Sequence, residues 1–118
     1  WALRTGQVWA SPVHLLVHRR QGLFFSCRGA LALKSRIDLP PPALRPCDSC
    51  AQPCGAACPA GALTKQGYNV PDCHDFLRSA AGQDCLSQGC GVRRACPISQ
   101  SYARLPEHSA YHMRQFHK

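Results

Sequence analysis

A chain of 118 residues holds one domain or slightly more, and with its thiols counted neutral this one carries a formal charge of +8. That balance suits an acidic redox partner, a nucleic acid or a plain solvated basic surface. Its longest apolar stretch, Leu23 to Leu33, is broken by Ser26 and Arg28 and is too short for a bilayer, so no membrane span is expected.

The first residue is Trp1 rather than Met, which is expected of a piece of a longer protein. Residues 1–12 show little periodicity, and the indoles of Trp1 and Trp9 are expected to pack on something from irregular chain. Val13 to His18 (VHLLVH) reads as a strand and Arg19 to Gly22 as a turn. Leu23 to Arg28 and Ala30 to Leu33 read as one or two further strands. A lone hairpin is barely stable in water, so this partial β segment, residues 1–39, should join a larger sheet or pack on the cysteine-rich unit. Lys34 to Pro46 reads as linker. Its proline-rich part, 40–46, favours an extended path and marks the boundary to a second unit, 47–118.

In the second unit, Ala51 to Ala57 reads as one or two helical turns. Ala62–Thr64 and Tyr68–Val70 flank Lys65-Gln66-Gly67 as a small hairpin. Pro71 to Ser79 reads as a helix, with Asp72 and Asp75 early and Arg78 late, in agreement with the helix dipole. Gly91 to Ala95 reads as a short helix stopped by Pro97. Pro106 to Lys118 reads as a last helix, with Ala110, Met113 and Phe116 forming a weak apolar stripe beside Tyr111.

Eight of the nine cysteines fall between Cys47 and Pro97, and Cys27 lies apart. The eight are Cys47, Cys50, Cys54, Cys58, Cys73, Cys85, Cys90 and Cys96, and both Cys58 and Cys96 precede proline. An odd count and no visible signal peptide speak against a secreted disulfide scaffold and for a cytoplasmic metal protein. Closely spaced thiols ending in Cys-Pro are the signature of a [4Fe–4S] loop, in which the cysteine before proline serves the other cluster of a pair. Cys47, Cys50, Cys54 and Cys96 then form one ligand set, and Cys58, Cys73, Cys85 and Cys90 the other. Two such clusters lower the formal charge from +8 to about +4. They also supply stabilisation that a unit this small does not get from its core alone.

The spacing departs from the standard run: two, three and three residues separate the first four cysteines, and four then five separate Cys85, Cys90 and Cys96. Zinc is the rival metal, but only Cys47/Cys50 makes a good zinc knuckle.

CDSCAQPCGAACPAGAL, the lone Cys73 and the closing CGVRRACP together resemble the ferredoxin-like module of epoxyqueuosine reductases. LLVHRRQGLFFSCRGALAL followed by DLPPP resembles the end of that family's corrinoid-binding domain, so the likeness runs roughly from Val13 to Pro97. The resemblance implies two [4Fe–4S] clusters on the two sets named above, feeding electrons to a cobalamin that reduces epoxyqueuosine in tRNA. The corrinoid-binding domain and its catalytic acid would lie before Trp1, so the reductase activity is not expected of this chain alone.

His108 and His112 stand four apart and could ligate metal or simply face solvent. His14 and His18 suit a strand face, and His74, next to Cys73, could tune a cluster nearby or simply sit at the surface. Arg93 and Arg94, between Cys90 and Cys96, could offset cluster charge, dock a partner or line a solvated helix. Arg19 and Arg20 sit in a turn that could touch phosphate, though a solvated turn is the plainer reading. No nucleotide fingerprint and no nucleophile–base pair is present, so no catalytic residue is named. The expectation is an α+β, ferredoxin-like two-cluster domain with short helices and a small hairpin, preceded by a partial β segment and acting in electron transfer. Its partner would be a redox protein or an upstream, corrinoid-type domain. The alternatives are the electron-supplying part of a corrinoid-dependent oxidoreductase and a zinc- or cluster-stabilised nucleic-acid-binding module.

Overall fold

The computed structural model describes all residues from Trp1 to Lys118. A two-stranded antiparallel sheet pairs β1 (Val8–Ala10) with β2 (Leu16–His18), Trp9 lying opposite Val17. The strand expected over Val13–His18 is therefore shorter, and its partner comes from the stretch expected to be irregular. Period-two alternation puts Val17 and its partner Trp9 on the face toward the core, while Val8, opposite His18, is buried on the other face. The connecting loop turns at His14, which adopts a left-handed backbone (φ 58°) and places Nε2 3.1 Å from the Lys65 carbonyl oxygen.

The turn at Arg19–Gly22 forms as expected, with His18 and Gly22 exchanging backbone hydrogen bonds. Gly22 has φ 57°, and a Cβ there would lie 2.4 Å from the Ser99 backbone nitrogen. Only glycine meets both demands. The next residue, Leu23, donates its N–H to the buried Ser99 hydroxyl at 2.9 Å.

The strands expected over Leu23–Arg28 and Ala30–Leu33 do not form: the chain there is irregular and mostly exposed. No neighbouring strand satisfies its backbone, so apolar content alone does not make it β. The expected packing of both indoles also fails for Trp1, which is 96% exposed, whereas Trp9 packs against the core. The proline-rich stretch runs beside the N-terminal segment: Gln7 Nε2 donates to the Pro41 carbonyl oxygen at 3.0 Å, and Ala43 N–H to that of Gly6 at 2.9 Å.

Beyond it the fold is helical. A 3-10 turn spans Pro53–Ala56. The small hairpin is reduced to a bridge between Leu63 and Tyr68, closed by hydrogen bonds from Thr64 N–H to Gly67 and from Asn69 N–H to Ala62. Helix α1 (Val70–Arg78) is capped by Asn69, whose side chain accepts from Asp72 N–H, with proline in its first turn. Helix α2 (Gln83–Gln88) was not expected from the sequence. Helix α3 (Gly91–Arg94) follows Cys90, and α4 (Pro97–Ser101) follows Cys96. Pro97 thus opens a helix as well as ending one, because its fixed φ and missing N–H suit a first turn. Helix α5 (Pro106–Phe116) packs across α2. Gly89, at φ 94°, lets that crossing close, since a Cβ there would lie 2.6 Å from Ser109 Cβ.

The result is a small α+β fold with five helices and a two-stranded sheet. One apolar core joins Val13, Val17 and Leu23 of the N-terminal segment to Cys54, Leu63, Val92 and Cys96 of the cysteine-bearing segment. No helix is long and apolar enough to cross a membrane.

Candidate functional site

All nine cysteines are free thiols, and they are distributed unevenly. Cys27 is exposed and stands apart, on the irregular stretch after the N-terminal turn. Cys47 and Cys50 sit in turns, and Cys54 sits in the 3-10 turn behind Pro53. Cys96 is the residue before α4. Cys50, Cys54 and Cys96 all lie in the neighbourhood of Cys47. Burial pushes the Cys47 thiol up, and the thiols of Cys54, Cys96 and Cys50 push it further, while Arg45 opposes them. Cys54 is likewise raised, by burial first and then by Cys96 and Cys50.

The other four form a second neighbourhood. Cys58 follows the 3-10 turn, Cys73 is on α1, Cys85 is on α2 and Cys90 is the residue before α3. Burial raises the Cys73 thiol, and Cys90, Cys58 and Cys85 add to the shift. Cys90 is raised by burial too, with Cys85 adding and the N–H groups of Arg93 and Val92 opposing. All four thiols line one small, mostly apolar cavity together with Leu63, Leu77 and Val92.

Several donors aim at sulfur. Gln52, in a left-handed conformation (φ 56°), brings its N–H to 3.3 Å from Cys50 Sγ and donates its side-chain amide to the Cys47 carbonyl. The Tyr68 hydroxyl lies 3.7 Å from Cys73 Sγ. Burial and that contact push the Tyr68 hydroxyl well above its ordinary value, so it remains a donor across the working pH range. Sequence reasoning did not single out Gln52 or Tyr68. The signal for Gln52 was its place inside the cysteine run; Tyr68 had only its nearness to Cys73.

Arg93 is half-buried and donates to the Leu23 carbonyl, with Cys90 close by. Arg94 joins Asp84 in an ion pair and donates to the Gly89 carbonyl at 2.9 Å, tying α3 to α2. His74 is half-buried rather than at the surface: its ring stacks on Phe116 at 4.6 Å, and Nδ1 is 2.8 Å from His117 Nδ1. Arg19 donates to the Gln7 side chain, and His18 Nδ1 accepts from the N–H groups of Arg20 and Gln21. No three His, Cys, Asp or Glu side chains converge closely enough to hold a single metal ion.

The donors are soft, free and grouped four and four. Soft thiolate sets select zinc, copper(I) or iron–sulfur clusters. Four sulfurs around one tetrahedral zinc stand about 3.8 Å apart, as Zn–S bonds of about 2.3 Å require. A four-iron cube would draw on four thiolates, one at each iron corner. Comparison with protein-family models, curated proteins and solved structures finds no match to this chain.

Proposed function

We propose that the chain is an electron-transfer module binding two [4Fe–4S] clusters, one on Cys47, Cys50, Cys54 and Cys96 and the other on Cys58, Cys73, Cys85 and Cys90. The reading is carried by one observation: Cys58, Cys73, Cys85 and Cys90, brought in by α1, α2 and the chain around them, line one small cavity. Each group takes its Cys-Pro cysteine from the far half of the cysteine run. When bound, such clusters supply reversible one-electron chemistry.

The protein's own part is to hold the sulfurs, limit water and set the local field. Cys54, Cys85 and Cys96 are all under a tenth exposed. The N–H groups of Gln52, Val92 and Arg93 and the Tyr68 hydroxyl stabilise negative charge on sulfur, which favours the reduced state. Arg93 beside Cys90 acts in the same direction.

Anaerobic purification or reconstitution tests the proposal. About eight iron and eight sulfide per chain are expected, with visible absorption that dithionite bleaches reversibly. Tightly bound zinc, thiols joined as S–S bridges, or salt-sensitive RNA binding without redox activity would overturn it.

A second reading makes the chain the electron-supplying part of a larger oxidoreductase, of the corrinoid-dependent kind that the sequence resembles. The observation favouring it is a run of exposed apolar side chains: Leu31, Leu33, Ile37, Leu39 and Leu44. Monomers rarely leave so much apolar surface uncovered in one stretch. Corrinoid retention by a version extended upstream of Trp1 would favour this reading over a free carrier.

A further inference from the structure

A second cavity, of about 360 Å³, opens between the N-terminal turn, the irregular chain at 26–28, and helices α3 and α5. That volume is at the lower end of small-molecule sites. Phe24, Met113 and Phe116 are among its apolar lining. Arg28, Arg93, Arg104 and His112 line it as well, and no acidic side chain does. Cys73 and Cys90, two thiols of the second group, reach its floor.

The cationic lining is partly fixed before any ligand arrives. Arg93 is tied to the Leu23 carbonyl. Arg104 lies 5.3 Å from the centre of the Phe24 ring, and its Nε donates to Ser109 Oγ at 3.2 Å. Guanidinium groups held in this way lose less freedom when they close on an oxyanion. Their charges converge: burial lowers the His112 pKa, and Arg104, Arg28 and Arg93 lower it further. His112 therefore stays neutral near pH 7 and offers ring nitrogens rather than charge. Arg93 also faces the Cys90 thiol, which leaves Arg28 and Arg104 as the cations for the cavity itself.

We propose that this cavity binds a small organic anion, an apolar or aromatic body bearing a carboxylate or phosphate ester, directly beside the second group of thiols. Arginines together with apolar side chains are what such a molecule requires, because the head group needs charge-assisted donors and the body needs a place away from water. The site stands on the cavity and its side chains. With a cluster of formal charge about −2 on the thiols that share its lining, the three guanidinium groups would still leave roughly +1.

Titration calorimetry on the iron-loaded chain tests it with 2-naphthoate, 1-naphthyl phosphate, neutral 2-naphthamide and inorganic phosphate. One naphthyl acid should bind saturably at one per chain, and the stronger of the two identifies the head group. The amide and inorganic phosphate should each bind at least about tenfold more weakly. Arg28→Gln, at an exposed position, and Arg104→Gln should each weaken the acid about tenfold. Equal binding of acid and amide, or an affinity untouched by Arg28→Gln, overturns the proposal.

Cys27, exposed on the same rim, gives a second readout. Its alkylation by iodoacetamide, located by mass spectrometry, should slow several-fold under saturating naphthoate; an unchanged rate overturns the proposal. Iron content of the same samples reports on the thiol groups separately, so failure here and failure of the electron-transfer reading are told apart.

Discussion

The first group of thiols is assembled by turns and the second by helices. Cys47, Cys50 and Cys54 are close in sequence, and short turns suffice to gather them; only Cys96 arrives from a distance. In the second group Cys58, Cys73, Cys85 and Cys90 are spread along the chain, and α1, α2 and the start of α3 carry them together. The surroundings differ accordingly. Cys54 and Cys96 are buried in the main apolar core with Val13, Val17 and Leu23, whereas Cys58 and Cys90 pack against that core and line a small cavity with Cys73 and Cys85. Long spacing in sequence is thus no obstacle to bringing four thiols to one cavity, provided helices replace the tight loop.

The largest expected effect tests whether the groups cross as described. Cys96→Ser should abolish the same cluster as Cys54→Ser, and Cys58→Ser the same one as Cys85→Ser. Each should lose about four iron, with paramagnetic resonance of the reduced protein identifying the survivor. Loss of the partner signal instead would mean that each Cys-Pro cysteine serves its own half of the sequence.

A smaller effect separates the main core from the helical side. Gly22→Ala forces a Cβ against the Ser99 backbone in a left-handed conformation and should cost about 2–3 kcal/mol in urea unfolding. The loss should fall on the N-terminal segment and the first group, leaving the iron of the second.

The metal-free, reduced chain should show a pH trend that the loaded chain lacks. Burial raises the thiols of Cys47, Cys54, Cys73 and Cys90 above the ordinary 9.0. Past that value the unfolded chain gives up protons that the folded chain keeps. Stability is therefore intact below about pH 9 and falls as pH rises toward the raised values. Urea midpoints measured on either side of 9.0 check this; a rise in stability would contradict the burial described. In the loaded chain the sulfurs are already deprotonated, and the trend should vanish.

Two finer changes act on one region each. Ser99→Ala removes the acceptor of the buried Leu23 N–H and should cost about 1 kcal/mol. Tyr68→Phe removes the hydroxyl beside Cys73 and should lower one reduction midpoint, that of the second group, by a few tens of millivolts at most. The long contact accounts for the modest size, since about 1 kcal/mol corresponds to roughly 40 mV for one electron. An equal shift in both midpoints would show that Tyr68 does not act locally.

Much of the helical half was legible because its signals are local. Pro71, Asp72 and Arg78 announced α1, and Pro106 with Glu107 announced α5. Helix α2 escaped because QDCLSQ is short and has no apolar stripe, although Ser79, Asp84 and Gly89 are helix signals around it. The N-terminal half was misread where tertiary contacts decide. Val8–Ala10 is a strand because Leu16–His18 pairs with it, and Leu23–Leu33 is not one because nothing does. The grouping of cysteines came from Cys-Pro spacing, but the sulfur donors at Gln52 and Tyr68 depend on a left-handed backbone and a bridge to Leu63 that no short motif announces.

Because Cys54 and Cys96 share their lining with Val13, Val17 and Leu23, the amino-terminal loop serves as a roof over both thiols. Cleaving the chain in its proline stretch would not release two self-sufficient pieces. It would lift that roof and let water and dioxygen reach two thiols that are now under a tenth exposed.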